Sequence, residues 1–261
     1  MDKEHIVFYE SVDRERIYSI ENDPIRHPFY KILTEFIQQH KFTHGKRCLE
    51  IGSSKGLFQD LVEDYTGVDV TEQLQKYYHK RFVVVDSALL PFPDFSFDAI
   101  WAYATHEHIP DIELSMQEIV RVLKPGGVCL FAPAWHTRPW FAQGYQMRSY
   151  SELSLKGKFI KLSIPLRDFI LIRWPYVLLR RLLRLIQYLF FQSKPISLKY
   201  KRLPANYEKY WQSDSDACNS IDPFDVILWF RSRGFIIHQY NGFLKALFFR
   251  AKALELQKYY L

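Results

Sequence analysis

At 261 residues, 48% of them hydrophobic and 17% aromatic, the chain has enough apolar side chains for a sizeable core, which excludes a low-complexity or disordered protein. Its three cysteines have no regular spacing, which argues against a disulfide framework or a cysteine metal site, and Asp2 and Glu4 stand where a signal peptide would be basic. The expectation is therefore a cytoplasmic chain. Its formal net charge of +6 is uneven: residues 151–210 hold 13 Lys/Arg against three acids, and the remainder is net acidic.

In chain order, apolar residues at 29, 32, 33, 36 and 37 predict a helix over 28–40. Strands are expected near 47–51, 65–70, 82–85, 97–103 and 128–133, with helices between them and one at 113–123 before the fifth strand. The first strand runs into Gly52-Ser53-Ser54-Lys55-Gly56, a small-residue turn expected to open a helix, with glycines where the backbone must turn sharply or approach a ligand. The second and third strands end in acids, Asp69 and Asp86. Asp222-Pro223 reads as an N-cap and first helical position, Gly234 as a helix stop, and 235–240 as a sixth strand. Residues 246–254 read as a seventh, antiparallel strand with a short tail, a terminal helix being the other reading.

Together with Leu90-Pro91-Phe92-Pro93-Asp94-Phe95-Ser96-Phe97-Asp98 and Leu123-Lys124-Pro125-Gly126-Gly127, this order of signals resembles the class I S-adenosylmethionine-dependent methyltransferases, over about 27–135 and again from 222. The resemblance implies an α/β, Rossmann-like, doubly wound seven-stranded sheet. Almost 90 residues separate the fifth strand from Asp222, so a largely helical insertion is expected between the fifth and sixth strands. The parts are then 1–136, the N-terminal helix and cofactor-binding part; 137–221, the insertion; and 222–261, completion of the domain.

The resemblance assigns S-adenosylmethionine as cofactor and a set of residues to hold it. Asp69 would accept from the ribose hydroxyls and Asp86 from the adenine amino group, with Val70, Ser87 and Ala88 beside them. Glu50 would order the loop Gly52, Ser53, Ser54 and Gly56, and Ala102 and Tyr103 would line the methionine part. Ser54 departs from the glycine usual in the middle of such loops. His108 is the candidate base or acceptor-positioning residue, its alternative being a loop-ordering role; His106 and His136 are weaker candidates. No metal is expected, because His106, Glu107 and His108 are consecutive and nothing distant completes a set.

Residues 169–191 are apolar except for Arg173, Arg180, Arg181, Arg184 and Gln187. Four arginines and Pro175 argue against a spanning helix, since each charge at the bilayer centre costs about 2.5–3.5 kcal/mol. An in-plane helix is expected instead, its arginines and Lys194, Lys199, Lys201 and Arg202 meeting anionic headgroups. A lid over the active site or a dimer contact is the alternative. The reading is a methyltransferase acting on O or C of a small, lipophilic or lipid-linked acceptor, a saccharide carrier included, with a peripheral place on the inner face of the membrane. Its rivals are a non-catalytic scaffold and enzymes of soluble metabolites or nucleic acid. Nucleic acid is disfavoured because the bases are embedded in aliphatic sequence and 102–105 lacks an Asn/Asp-Pro-Pro-Tyr motif. The oligomeric state is not legible.

Overall fold

The computed structural model describes residues 7–10, 23–190, 194–206, 214–240, 242–248 and 252–259. Within it, β1 (Arg47–Ile51), β2 (Asp64–Asp69), β3 (Arg81–Val84), β4 (Phe97–Tyr103), β5 (Leu123–Ala132), β6 (Phe235–Ile237) and β7 (Leu254–Lys258) form one sheet in the order β3-β2-β1-β4-β5-β7-β6. The first five strands pair in parallel, and β7 runs antiparallel to both β5 and β6. This is the Rossmann-like α/β sheet expected from the sequence.

Alternation along the strands divides the core into two layers. Leu49, Ile51, Ile100, Ala102, Cys129 and Phe131 face one side, where helix α2 (Ile112–Val122) and helix α5 (Pro223–Arg231) pack. Cys48, Ala99, Trp101, Val128 and Leu130 face the other, against Leu33, Phe36 and Ile37 of α1 (Tyr30–His40). With both faces covered, the carboxyl ends of the parallel strands are left to carry loops, the usual place for a ligand.

Several sequence expectations need correction. No α-helix follows the glycine loop: only 12 residues separate β1 from β2, and they close through a three-residue 3-10 turn, Gln59–Leu61. The β2–β3 connection is a six-residue 3-10 segment, Glu72–Tyr77, and the β3–β4 connection has no helix. The last strand lies at Leu254–Lys258 rather than 246–254, and Phe243–Phe248 is a short helix, α6. Gly234 does take the left-handed conformation, with φ of 80°. Asp222 caps α5, its side chain accepting from the Phe224 amide at 2.9 Å.

Between β5 and α5 stand α3 (Leu155–Asp168) and α4 (Ile170–Phe190), followed by a two-residue ribbon pairing Lys201–Arg202 with Asn219–Ser220. The orientation of α4 reverses the expectation of a cationic stripe facing lipid. Arg181 is 1% exposed and holds Asp222 through Nη2 at 2.8 Å while donating to the Leu247 carbonyl at 2.6 Å. Arg184 is equally buried against Asp225 at 2.7 Å, and Arg180 reaches Asp222 at 2.8 Å. The cause is the pair of carboxylates at the start of α5: guanidinium groups turned toward them are paired, whereas the helix's apolar groups find no comparable partner there. Phe191 lies outside the described residues. No helix among the described residues is long and apolar enough to cross a membrane.

Candidate active site

The glycine loop leaves β1 over the ends of β2 and β4. The Gly52 and Ser53 amides both donate to the Val68 carbonyl, at 2.9 and 3.0 Å. Gly52 has φ of +68°, and a Cβ there would come within 2.3 Å of the Thr105 side chain; at Gly56, φ is +65° and a Cβ would meet the Tyr78 ring at 2.5 Å. Both positions need glycine for conformation and for space. Ser54, where a glycine is usual, also takes a left-handed φ of 46°. Tyr78 holds the loop, its hydroxyl lying 2.7 Å from Ser53 Oγ and 2.8 Å from the Ser54 carbonyl, which share its one proton as acceptors.

Asp69 ends β2 with its carboxylate fixed by backbone donors. Oδ2 accepts from the Ser54 amide at 3.0 Å, and Oδ1 from the Val70 and Thr71 amides at 2.8 and 3.3 Å. Asp86 is held similarly, accepting from the Ala88 amide at 2.9 Å. Glu50 is 5% exposed and accepts a short hydrogen bond from the Tyr65 hydroxyl. Burial pushes the Glu50 carboxyl up to about 8, against the downward pull of Tyr65.

These groups enclose a cavity of about 390 Å³, toward the lower end of the roughly 300–1,000 Å³ found for small-molecule sites. Of the residues predicted to hold the cofactor, Glu50, Gly52, Ser53, Ser54, Asp69, Val70, Asp86, Ser87 and Tyr103 line it. Gly56, Ala88 and Ala102 do not: Gly56 supports the loop against Tyr78, Ala88 orients Asp86, and Ala102 points into the core. Tyr103 stacks on Phe29 at 4.7 Å and meets the edge of His27 at 5.2 Å.

His108 lines the same cavity, with Tyr9 and Asp214. Its Nδ1 lies 3.3 Å from Asp216 Oδ2, and its Nε2 lies 3.7 Å from Glu107 Oε1. Tyr9 donates to the same Asp216 oxygen at 2.5 Å. Burial alone would lower the pKa of His108, but Asp216, Glu107 and Asp214 outweigh it and the net shift is upward. Burial pushes Glu107 up to about 7 despite His108 beside it. Sequence reasoning found His108 but not Tyr9, Asp214 or Asp216, which no local motif marks. Nor did it find the distant partner that brings ligand atoms of Glu107, His108 and Asp214 within 4.8 Å of one another. With carboxylates near both ring nitrogens, the set favours the charged form of His108 once a proton reaches it. The other two histidines stand apart. His106 is fully buried against Phe131, with its pKa lowered to about 3, and His136 lines a second cavity.

That second cavity, of about 590 Å³, lies between α4 and the sheet domain. Trp135, Phe141 and Trp174 give it aromatic walls, Arg138, Arg173 and Arg181 line it together with Asp168, and Asp214 lines both cavities.

A glycine loop, two strand-end acids and a carboxyl-end cavity agree with the family comparison, in which residues 49–131 match the model described as "Methyltransferase domain". Over residues 49–131 the chain is thus similar to a methyltransferase domain. It is similar to a 2-methyl-6-phytyl-1,4-hydroquinone methyltransferase of Synechocystis sp., 35% identical over 95 residues, 33% of this chain and 30% of the relative. A sterol 24-C-methyltransferase of Aspergillus fumigatus is 31% identical over 123 residues, 39% and 32% of the two chains. A fatty-acid O-methyltransferase of Mycolicibacterium smegmatis is 32% identical over 103 residues, 34% and 38% of the two. The chain thus spans about a third of the length of the curated relatives it matches. The matched residues 49–131 supply most of the first cavity's wall, with Tyr9, His27 and Asp214 added from outside them, whereas the second is walled by residues beyond 131.

Proposed function

We propose that this chain transfers a methyl group from S-adenosylmethionine to a lipophilic or lipid-linked acceptor, at a hydroxyl oxygen in preference to carbon. The observation that carries the reading is the meeting, in one cavity, of the expected cofactor residues with His108, whose ring nitrogens face Asp216 and Glu107 behind the cavity wall. The cofactor, when bound, supplies an electrophilic methyl on a sulfonium centre. Asp69 and Asp86 are its ribose and adenine acceptors, and Glu50 attracts its ammonium group. His108 would accept the acceptor's hydroxyl proton as the C–O bond forms and the methyl–sulfur bond breaks, S-adenosylhomocysteine leaving as the neutral thioether, and Asp216 and Glu107 would stabilise the resulting imidazolium. The second cavity, with its aromatic walls, is the place for the acceptor's body, which would reach the reacting centre past Asp214.

The hydroquinone, sterol and fatty acid in the relatives' names support a lipophilic acceptor here. The fitting location is the cytoplasmic face of a membrane, where lipids and lipid-linked saccharides are presented. The division at 136 and 221 goes with this reading: 137–221 carries acceptor recognition, and the flanking parts carry the cofactor.

The test is transfer of labelled methyl from S-adenosylmethionine into a cell extract, followed by organic–aqueous partition. Label in the organic phase is expected; label only in the aqueous phase overturns the lipophilic acceptor, and no transfer by protein that binds the cofactor overturns the enzyme. With an acceptor in hand, His108→Asn should lower kcat by roughly 10²–10⁴-fold. Because His108 titrates above its ordinary 6.5 and must be neutral to take a proton, kcat/KM should rise with pH through that higher value. Asp216→Asn, by removing the largest upward influence, should move this limb to lower pH.

A further inference from the structure

The hairpin of α3 and α4 is built inside out. On α4 the arginines at 181 and 184 are buried, while Ile172, Tyr176, Leu179, Leu183, Ile186 and Phe190 are each 50–81% exposed. Their spacing of four, three, four, three and four residues makes a single stripe along the helix. On α3, Leu155, Phe159, Leu162 and Leu166 repeat the pattern at 61–76% exposure. Contiguous apolar surface on this scale marks an interaction site.

From 153 to 190 the only acid is Asp168, and it is paired to Arg138 at 2.6 Å. Lys156, Lys158 and Arg167 are exposed beside the apolar residues of α3. A second copy laid on this face would bring cations toward cations with no exposed carboxylate of the hairpin to pair them, whereas an anionic lipid surface supplies both hydrocarbon and negative charge. We propose that the hairpin docks on an anionic bilayer, its leucine and aromatic stripes entering the acyl boundary and the lysines of α3 meeting headgroups. The buried arginines anchor the hairpin to the protein and take no part in lipid contact. Ile170 and Trp174 at the start of α4 line the second cavity, so the docked hairpin places that cavity beside the lipid from which the acceptor would come. The inference rests on the lipophilic-acceptor reading for its purpose, but its measurement does not.

The full chain is sedimented with vesicles of phosphatidylcholine containing one-third phosphatidylglycerol, with cofactor binding measured by calorimetry on the same samples. The wild type should pellet with these vesicles, and pellet less with pure phosphatidylcholine. Leu179→Glu/Leu183→Glu, two exposed positions outside either cavity, should reduce partition at least about tenfold while leaving cofactor affinity unchanged. Wild type remaining in the supernatant overturns the inference, as does undiminished sedimentation of the double variant. A dimer in analytical ultracentrifugation that the double variant abolishes also overturns it, in favour of a second copy. Loss of methyl transfer with vesicle binding intact would instead strike at the proposed function alone.

Discussion

The glycine loop and the α3–α4 hairpin were equally conspicuous as sequence, yet only one of them has its orientation written in its residues. In the loop, chemistry and position coincide: glycine at 52 is required by a positive φ and by Thr105 beside it, so the residue type itself says where the chain bends. In the hairpin, a period of 3.6 announces two faces without saying which is inside. That choice belongs to Asp222 and Asp225, some 40 residues further on, which offer buried arginines their charge partners. Amphipathic patterning fixes a helix's seam but takes its sign from the surface it meets.

The sharpest way to break this contrast is to remove the partner. Asp222→Ala should destabilise the protein by about 3–5 kcal/mol in urea unfolding, because it strands the buried Arg181 charge and removes the α5 cap, and trypsin should then cut within α3 and α4 first. Arginines hold Asp222 below its usual pKa despite burial, so its contribution should be present above the ordinary value of 3.8 and lost as pH falls through the lower folded value. A smaller effect is expected at the loop. Asp69→Ala should weaken S-adenosylhomocysteine binding by about 1.5–3 kcal/mol, the worth of hydrogen bonds to a charged acceptor, with little change in the hairpin's protection from trypsin.

Glu50 sharpens the comparison through pH. Its carboxyl ionises only near 8, so a ligand ammonium that needs the carboxylate must displace a proton, and affinity should climb up to about tenfold per pH unit before levelling above about 8. Glu50→Gln should flatten the profile. The same upward shift makes the wild-type fold lose stability as pH rises from 4.5 to about 8. The smallest effect is expected from Ser54→Gly, which relieves a left-handed φ while keeping the backbone contacts to Asp69 and Tyr78, and should raise unfolding stability by about 1 kcal/mol. An unchanged or lowered stability would mean that the loop does not store strain there.

The five parallel strands were legible because apolar runs ending at Gly52, Asp69 and Asp86 leave few places for them to stop. The helices expected between the first four were not there, since short connections filled by Phe58, Val62 and Leu74 meet their burial needs in turns. Likewise 246–254 is apolar enough for a strand, but Ala246 and Leu247 are buried from a helix, and pairing with β5 falls to 254–257. At the site, nine of the twelve predicted cofactor residues line the cavity because each sits within a few residues of a strand end. Asp214, Asp216 and Tyr9 were invisible for the opposite reason: they meet His108 only through chain reversals that leave no local pattern.

Asp214 belongs to the walls of both cavities, so the two compartments meet at that residue. An engineer seeking a new acceptor range could rebuild the aromatic side of the larger compartment without disturbing a cofactor residue, yet every change at 214 would alter both rooms at once. That position is where selectivity and turnover would have to be traded against each other.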